Sequence, residues 1–298
     1  MADLKKLEET LEQMINLMIT MKQSLSEPDK PSIVPPIEDA SVSEQLIQAT
    51  KSDKWPEAVN PHLICDPNSE QDKNERAQGV IEMMIEQDLR NLKVLDFGCG
   101  EGQCVSLMPK YGTKLAAGYD IKAYPQWKTF NNDVILTDDF DVIKSHAPFD
   151  VIILFDVIDH TLQETPLSIL NKCREVLSDS GRIYMRCHPF TSKHATHLYH
   201  EINKAYLHLI FNEEELKQLV QNSAYCESNN GVVDPLKTYN LYIEQANLKI
   251  INRRESIEDT NPFFKIPKIA ERILRKTKMP SFPEDQMSIQ FVDYILQK

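Results

Sequence analysis

Three of the chain's 8 glycines, Gly98, Gly100 and Gly102, follow directly on the apolar run Val94-Leu95-Asp96-Phe97. Glycine has no Cβ, so its backbone enters the left-handed region and lies close against a bound molecule without steric cost. A strand that feeds a glycine loop opening into a helix is the way open α/β sheets build a nucleotide-type crevice. The spacing narrows the choice of ligand. A dinucleotide fingerprint reads G-x-G-x-x-G, whereas this loop is one residue tighter and carries an acid, Asp96, two residues before its first glycine.

Later strings extend the pattern. Leu115-Ala116-Ala117-Gly118-Tyr119-Asp120 reads as a second strand ending in a carboxylate. It lies about twenty residues past the loop, where a ribose diol is expected to be held. Residues 133–139 read as a third strand ending in the acid pair Asp138 and Asp139, and Phe149 to His160 as a fourth. Together these resemble class I S-adenosylmethionine-dependent methyltransferases, whose first motif is written D/E-x-G-x-G-x-G and whose fourth-strand string is FD-x-V-x-x-x-x-V-L-E-H. Asp159 stands where that string has Glu. Glu175 to Tyr184 is similar to the family's helix, turn and fifth strand, without the Pro and one Gly of the usual L-x-P-G-G turn.

The resemblance covers roughly residues 75–255, as combined short motifs of this kind do. It implies an α/β fold, a Rossmann-like class I methyltransferase sheet with helices on both faces. It also implies S-adenosyl-L-methionine as cofactor, bound by Asp96, Gly98, Cys99, Gly100, Gly102, Asp120, Ile121, Asp138, Asp139, Phe155 and Asp156. In that arrangement Asp120 grips the ribose and the acid pair meets the adenine amino group, Asp138 being the better positional match.

A net charge of -12 opposes binding to a polyanion, so nucleic acid is not the expected partner. Six cysteines without C-x-x-C or metal-ligand spacing suit reduced thiols in a cytoplasm, and no apolar run is long enough to span a bilayer. Ahead of the glycine loop, Leu4, Leu7, Leu11, Met14, Met18, Met21 and Leu25 follow the 3-4 spacing of a coiled-coil seam. An isolated helix this short is marginal, so residues 1–25 are expected to self-associate or to dock on their own chain. Pro28, Pro31, Pro35 and Pro36 make residues 26–40 an extended linker. The expected organisation is therefore a coiled-coil helix over 1–25, this linker, and a catalytic domain over 41–298, with its cofactor-binding core at about 75–190 and cap or substrate elements after it.

Methyl transfer from a sulfonium depends chiefly on positioning, and a base is needed only for a protonated nucleophile. Four of the chain's 8 histidines, His188, His194, His197 and His200, crowd into the segment leaving the fifth strand. On a helix over 193–210, His197, His200, Lys204 and His208 would share a polar stripe. His188 is the preferred general base and His160 the second. A zinc site from His194, His197 and His200 is not expected, because i,i+3 steps rotate around a helix and no Cys or Asp nearby completes the set. The string from His188 to Tyr206 bears a weaker resemblance to uncharacterised methyltransferase-like proteins of bacteriophage genomes.

Trp55 reads either as part of a cover over the cofactor or as a buried anchor. Lys265 to Lys278 is a basic amphipathic stretch, either a clamp on an anionic ligand or a helix packed on its apolar side, and Phe263 and Phe264 could form a lid. The expected function is methylation of an oxygen or nitrogen of a small-molecule acceptor. The alternative is a catalytically silent assembly subunit, possibly of a phage particle, multimerised through its N-terminal helix.

Overall fold

The computed structural model describes residues 40–64, 66, 68–130, 133–161, 166–195, 197–220 and 236–298. The expected coiled coil and nearly all of the proline-rich linker lie outside them. The chain divides into two compact units, 1–46 and 47–298. Of the first, only residues 40–46 are described, within the helix Ala40–Thr50.

Seven strands form one sheet in the order β3-β2-β1-β4-β5-β7-β6. They are β1 (Lys93–Phe97), β2 (Leu115–Tyr119), β3 (Val134–Thr137), β4 (Phe149–Phe155), β5 (Leu177–Cys187), β6 (Lys249–Ile257) and β7 (Ile289–Gln297). The first five are parallel, while β7 runs antiparallel against both β5 and β6. Every strand expected from the sequence is present, with its ends moved by a few residues.

Alternation along the central strands sorts side chains to two covered faces. Leu95 and Phe97 of β1, with Ile152 and Leu154 of β4, pack beneath the helices Phe140–His146, Pro166–Val176 and Leu236–Gln245. Val94 of β1, with Val151 and Ile153 of β4, packs on the other face against Ala77, Val80, Ile81 and Met84 of the helix Glu70–Met84. These β4 side chains are fully buried, each contributing about 1.5–3 kcal/mol by leaving water. Because β1 pairs with β2 on one side and β4 on the other, the chain leaves the ends of β1 and β4 in opposite directions, and a crevice opens there.

Two helical expectations are revised. The spacing of Val80, Ile81, Met84, Ile85 and Leu89 suggests a helix over 77–89 before β1; the helix spans Glu70–Met84, its start set by Ser69, which accepts from the Asp72 amide. Among the described residues of 193–206 there is no α-helix, only turns and a short 3-10 segment at Leu198–His200, followed by the single helical turn Leu207–Ile210. The polar stripe expected there does not form, and His208 is buried, its Nε2 2.8 Å from the Phe190 carbonyl.

Candidate active site

The glycine loop bends sharply out of β1. Gly98, Gly100 and Gly102 all take positive φ, at 83°, 52° and 93°, a region that side chains disfavour. A Cβ on Gly98 would stand 2.5 Å from a Val157 methyl, so that glycine serves close packing against the segment after β4. Among the described residues a Cβ on Gly100 would meet nothing within 4 Å. The open space therefore lies over Gly100 rather than Gly98.

The Gly100 backbone is held from both sides. Its N–H donates to Oδ2 of Asp120 at 2.9 Å, and its carbonyl accepts from Trp127 Nε1 at 2.8 Å. Asp120 thus stands at the bend, at the tip of the neighbouring strand. The hollow beside the loop has a volume of about 310 Å³ and is walled by Asp96, Gly98, Gly100, Glu101 and Phe155 together with Lys73 and Arg76.

Lys73 and Arg76, from the helix Glu70–Met84, were not singled out in the sequence, because only the apolar spacing of that helix marks it as an element. Lys73 bonds Glu101 at 2.7 Å and holds the Glu101 carboxyl below its ordinary pKa. Gln126 donates to the same carboxylate at 3.0 Å. Trp127 was likewise unmarked; no local pattern signals that its indole would reach back to the glycine loop.

Asp96 is almost fully buried. Burial first, and the Asp120 charge second, push its carboxyl up to about 7. Cys99 lines the hollow as a thiol, burial and the neighbouring carboxylates holding its pKa well above the ordinary value. The remaining expected cofactor residues divide. Ile121 and Asp138 are exposed near the strand tips. Asp139 instead caps the helix Phe140–His146, its side chain accepting from the Asp141 amide at 2.9 Å. Phe155 packs between two guanidinium groups, Arg76 at 5.5 Å and Arg186 at 5.2 Å from its ring centre. Asp156, with φ at 52°, turns away to pair with His188 and Arg76.

A second cavity, of about 780 Å³, opens on the far side of Phe155 and is lined by Arg186, His188, Lys193, His194, His197 and Tyr199, among others. The residue expected to serve here as free base is engaged at both ring nitrogens. His188 Nδ1 lies 3.0 Å from the Gln290 carbonyl, and Nε2 lies 3.2 Å from Oδ1 of Asp156. Burial works against the charged ring, but Asp156, Asp159 and the Gln290 carbonyl outweigh it and raise the His188 pKa. Asp156 is correspondingly lowered, the charged His188 overcoming its burial. With an oxygen facing each ring nitrogen, His188 is held in place by Gln290 and Asp156.

His160, the second candidate, meets His197, with their Nε2 atoms 3.1 Å apart. Burial, His160 and His188 push the His197 pKa well down, while burial, His188 and Lys193 take His194 down to about 3. His194 and His197 thus face the cavity as neutral rings. The sequence places His197 and His200 on a polar stripe of a helix that does not form. Instead, one atom each from Asp159, His160 and His197 lie within 4.8 Å of one another, and so do atoms from Asp156, Asp159 and His188.

Two further expectations resolve structurally. Trp55 is an anchor: it is 1% exposed, its Nε1 donates to the Ala205 carbonyl at 3.1 Å, and its ring packs on Phe211, Phe263 and Phe264. Phe264 is consequently buried and forms no lid. In the basic stretch, Arg272 is buried and pairs with Glu215 at 3.1 Å, so the helix Pro267–Thr277 packs Ile269, Arg272 and Ile273 inward.

A family model described as a methyltransferase domain matches residues 69–225, more than half of the chain. No curated protein matches the chain. Among solved structures, a SAM-dependent methyltransferase from Archaeoglobus fulgidus is 17% identical, covering 76% of this chain and 94% of its own, with a TM-score of 0.47. The 1,6-didemethyltoxoflavin-N1-methyltransferase of Burkholderia thailandensis, solved with 1,6-didemethyltoxoflavin and S-adenosylhomocysteine, is 11% identical, covering 91% and 93%, with a TM-score of 0.43. Coclaurine N-methyltransferase, bound to N-methylheliamine and SAH, is 14% identical, covering 97% and 95%, with a TM-score of 0.46. None of these supports the resemblance to bacteriophage proteins.

Proposed function

Since the chain belongs to the methyltransferase domain family, we propose that it transfers a methyl group to an oxygen or nitrogen of a small-molecule acceptor held in the cavity beyond Phe155. Its cofactor is S-adenosylmethionine, which supplies an electrophilic methyl on a sulfonium and departs as a neutral thioether. The observation that carries the reading is the open space over Gly100, kept clear at a positive φ and backed by Asp120. A silent scaffold has no need of such a hollow.

Asp120 offers carboxylate oxygen to a ribose diol, and Gly100 lets a ligand approach the main chain. Asp96, poised near neutrality inside the hollow, provides negative charge to a cationic ligand. Phe155 borders both hollows and so lies between cofactor and acceptor. The acceptor cavity is rich in nitrogen donors, and with Arg186 and Lys193 in its wall it suits an acceptor bearing oxygen atoms. Among the described residues no helix is long and apolar enough to cross a membrane. Self-association through residues 4–25 is part of the proposal; sedimentation of the full chain against one starting at residue 41 tests it.

Calorimetry with S-adenosylmethionine tests the central reading. Micromolar binding, abolished by Gly100→Trp and weakened by Asp120→Ala, is expected. No heat at ligand concentrations near about 1 mM, the upper end of common substrate constants, overturns it.

A further inference from the structure

We infer that Asp159, His160 and His197 bind one first-row transition-metal dication of the zinc or manganese type at the edge of the acceptor cavity. One potential ligand atom from each lies within 4.8 Å of the other two. His160 Nε2 and His197 Nε2 are 3.1 Å apart. Two imidazoles bound to one ion at about 2.0–2.1 Å hold their nitrogens roughly 2.9–3.4 Å apart, so this separation already matches a ligand pair.

A separate observation points the same way. Asp159 has no solvent exposure, and its Oδ2 accepts from the His188 amide at 2.9 Å. Among the described residues its Oδ1 has no hydrogen-bond partner. A buried oxygen left unpaired costs about 1–3 kcal/mol, and more when charged, which a cation beside it would offset. The neighbouring Asp156 Oδ1 also lacks a hydrogen bond, though it faces His188. Tyr199 Oη stands 3.3 Å from the other ring nitrogen of His197, the kind of outer contact that fixes the tautomer of a ligating imidazole.

Two imidazoles and one carboxylate favour zinc, manganese, iron or cobalt over magnesium and calcium, which take oxygen ligands. Three protein ligands leave a position for water or for a ligand oxygen. His197 belongs both to this set and to the cavity wall, so that position borders the acceptor cavity. Metal uptake is independent of methyl transfer; only the use of the ion, orienting an oxygen-bearing acceptor, rests on the proposed function.

The full chain, stripped with EDTA and dialysed, is titrated with Zn²⁺ and separately with Mn²⁺, and bound metal is measured by atomic emission without cofactor. One ion per chain is expected. His197→Ala and Asp159→Asn should each weaken uptake by at least about tenfold, whereas the exposed His62→Ala leaves it unchanged. His160→Gln, at a half-buried position, gives the same loss if Asp159→Asn fails to fold, as judged by circular dichroism. Absence of stoichiometric uptake, or uptake indifferent to His197→Ala and His160→Gln in folded protein, overturns the site. A chain that takes up metal but not S-adenosylmethionine keeps the metal site and defeats the methyl-transfer reading instead.

Discussion

The glycine loop and the histidine cluster sit at the same edge of one sheet, on either side of Phe155, yet they are built in opposite ways. The loop is made of consecutive residues whose backbone is the proposed binding surface, so five positions determine its shape, and Asp120 and Trp127 brace it. The cluster is made of side chains carried in from the ends of β4 and β5 and from the turns of 194–200, and no two of its strongest contacts are close in sequence. Cofactor recognition of the first kind is a property of local chain geometry. Chemistry of the second kind exists only after the chain has folded.

Breaking the cluster should be the more disruptive change. His188→Ala leaves Asp156 buried beside one partner fewer, and a stability loss of about 3–5 kcal/mol is expected in denaturant unfolding. The sign of its pH dependence follows from the pair. The raised His188 contributes fully below the ordinary histidine value of about 6.5 and is lost as pH rises through its folded pKa; the lowered Asp156 contributes above about 3.9 and is lost in acid. The deficit should therefore peak between those limits and shrink on either side.

On the loop side, Gly100→Trp fills the open hollow. Affinity for S-adenosylmethionine should fall on the order of 100-fold or more, ~3 kcal/mol, with a much smaller effect on unfolding. Asp120→Ala removes a carboxylate from the ligand and from the Gly100 amide, and a loss of about 10- to 100-fold is expected by calorimetry. Asp96 sharpens the contrast through pH. Its carboxyl, raised to about 7, binds a proton in the folded state across a range where the unfolded chain has released it, so its contribution to stability falls as pH rises toward neutrality. A cationic ligand favours the ionised form, and affinity should grow by at most about tenfold from pH 6 to 8, a slope that Asp96→Asn abolishes. The smallest effect belongs to Asp139→Ala, which should cost about 1 kcal/mol as a lost helix cap while leaving affinity unchanged; a large loss of affinity there would return Asp139 to the cofactor site.

The same contrast explains what could be read in advance. The strands were legible because alternation and the glycine loop are short-range signals, and a strand of fixed rise carries Asp120 to the Gly100 amide. The residues 193–206 misled because helical spacing alone suggested a stripe, while His197 and Tyr206 sit at positive φ and break any continuous helix. Asp139 caps the helix that follows it, a task that its place beside Asp138 in the sequence does not reveal. Lys73 and Trp127 carried no pattern at all: each reaches the loop across 25 residues or more, and nothing in their immediate neighbours records that reach.

The indole of Trp55 has a bearing on how little of this polypeptide can stand alone. It plugs a ring of aromatics contributed by Phe211 and by Phe263 and Phe264, and holds the Ala205 carbonyl, yet it precedes the first residue matched by the family model, at 69. A fragment trimmed to that recognisable portion would lose Trp55, Phe263 and Phe264 together, leave the Phe211 ring exposed to water and strip the Ala205 carbonyl of its donor. The smallest soluble version should begin upstream of the tryptophan and retain the segment after β6.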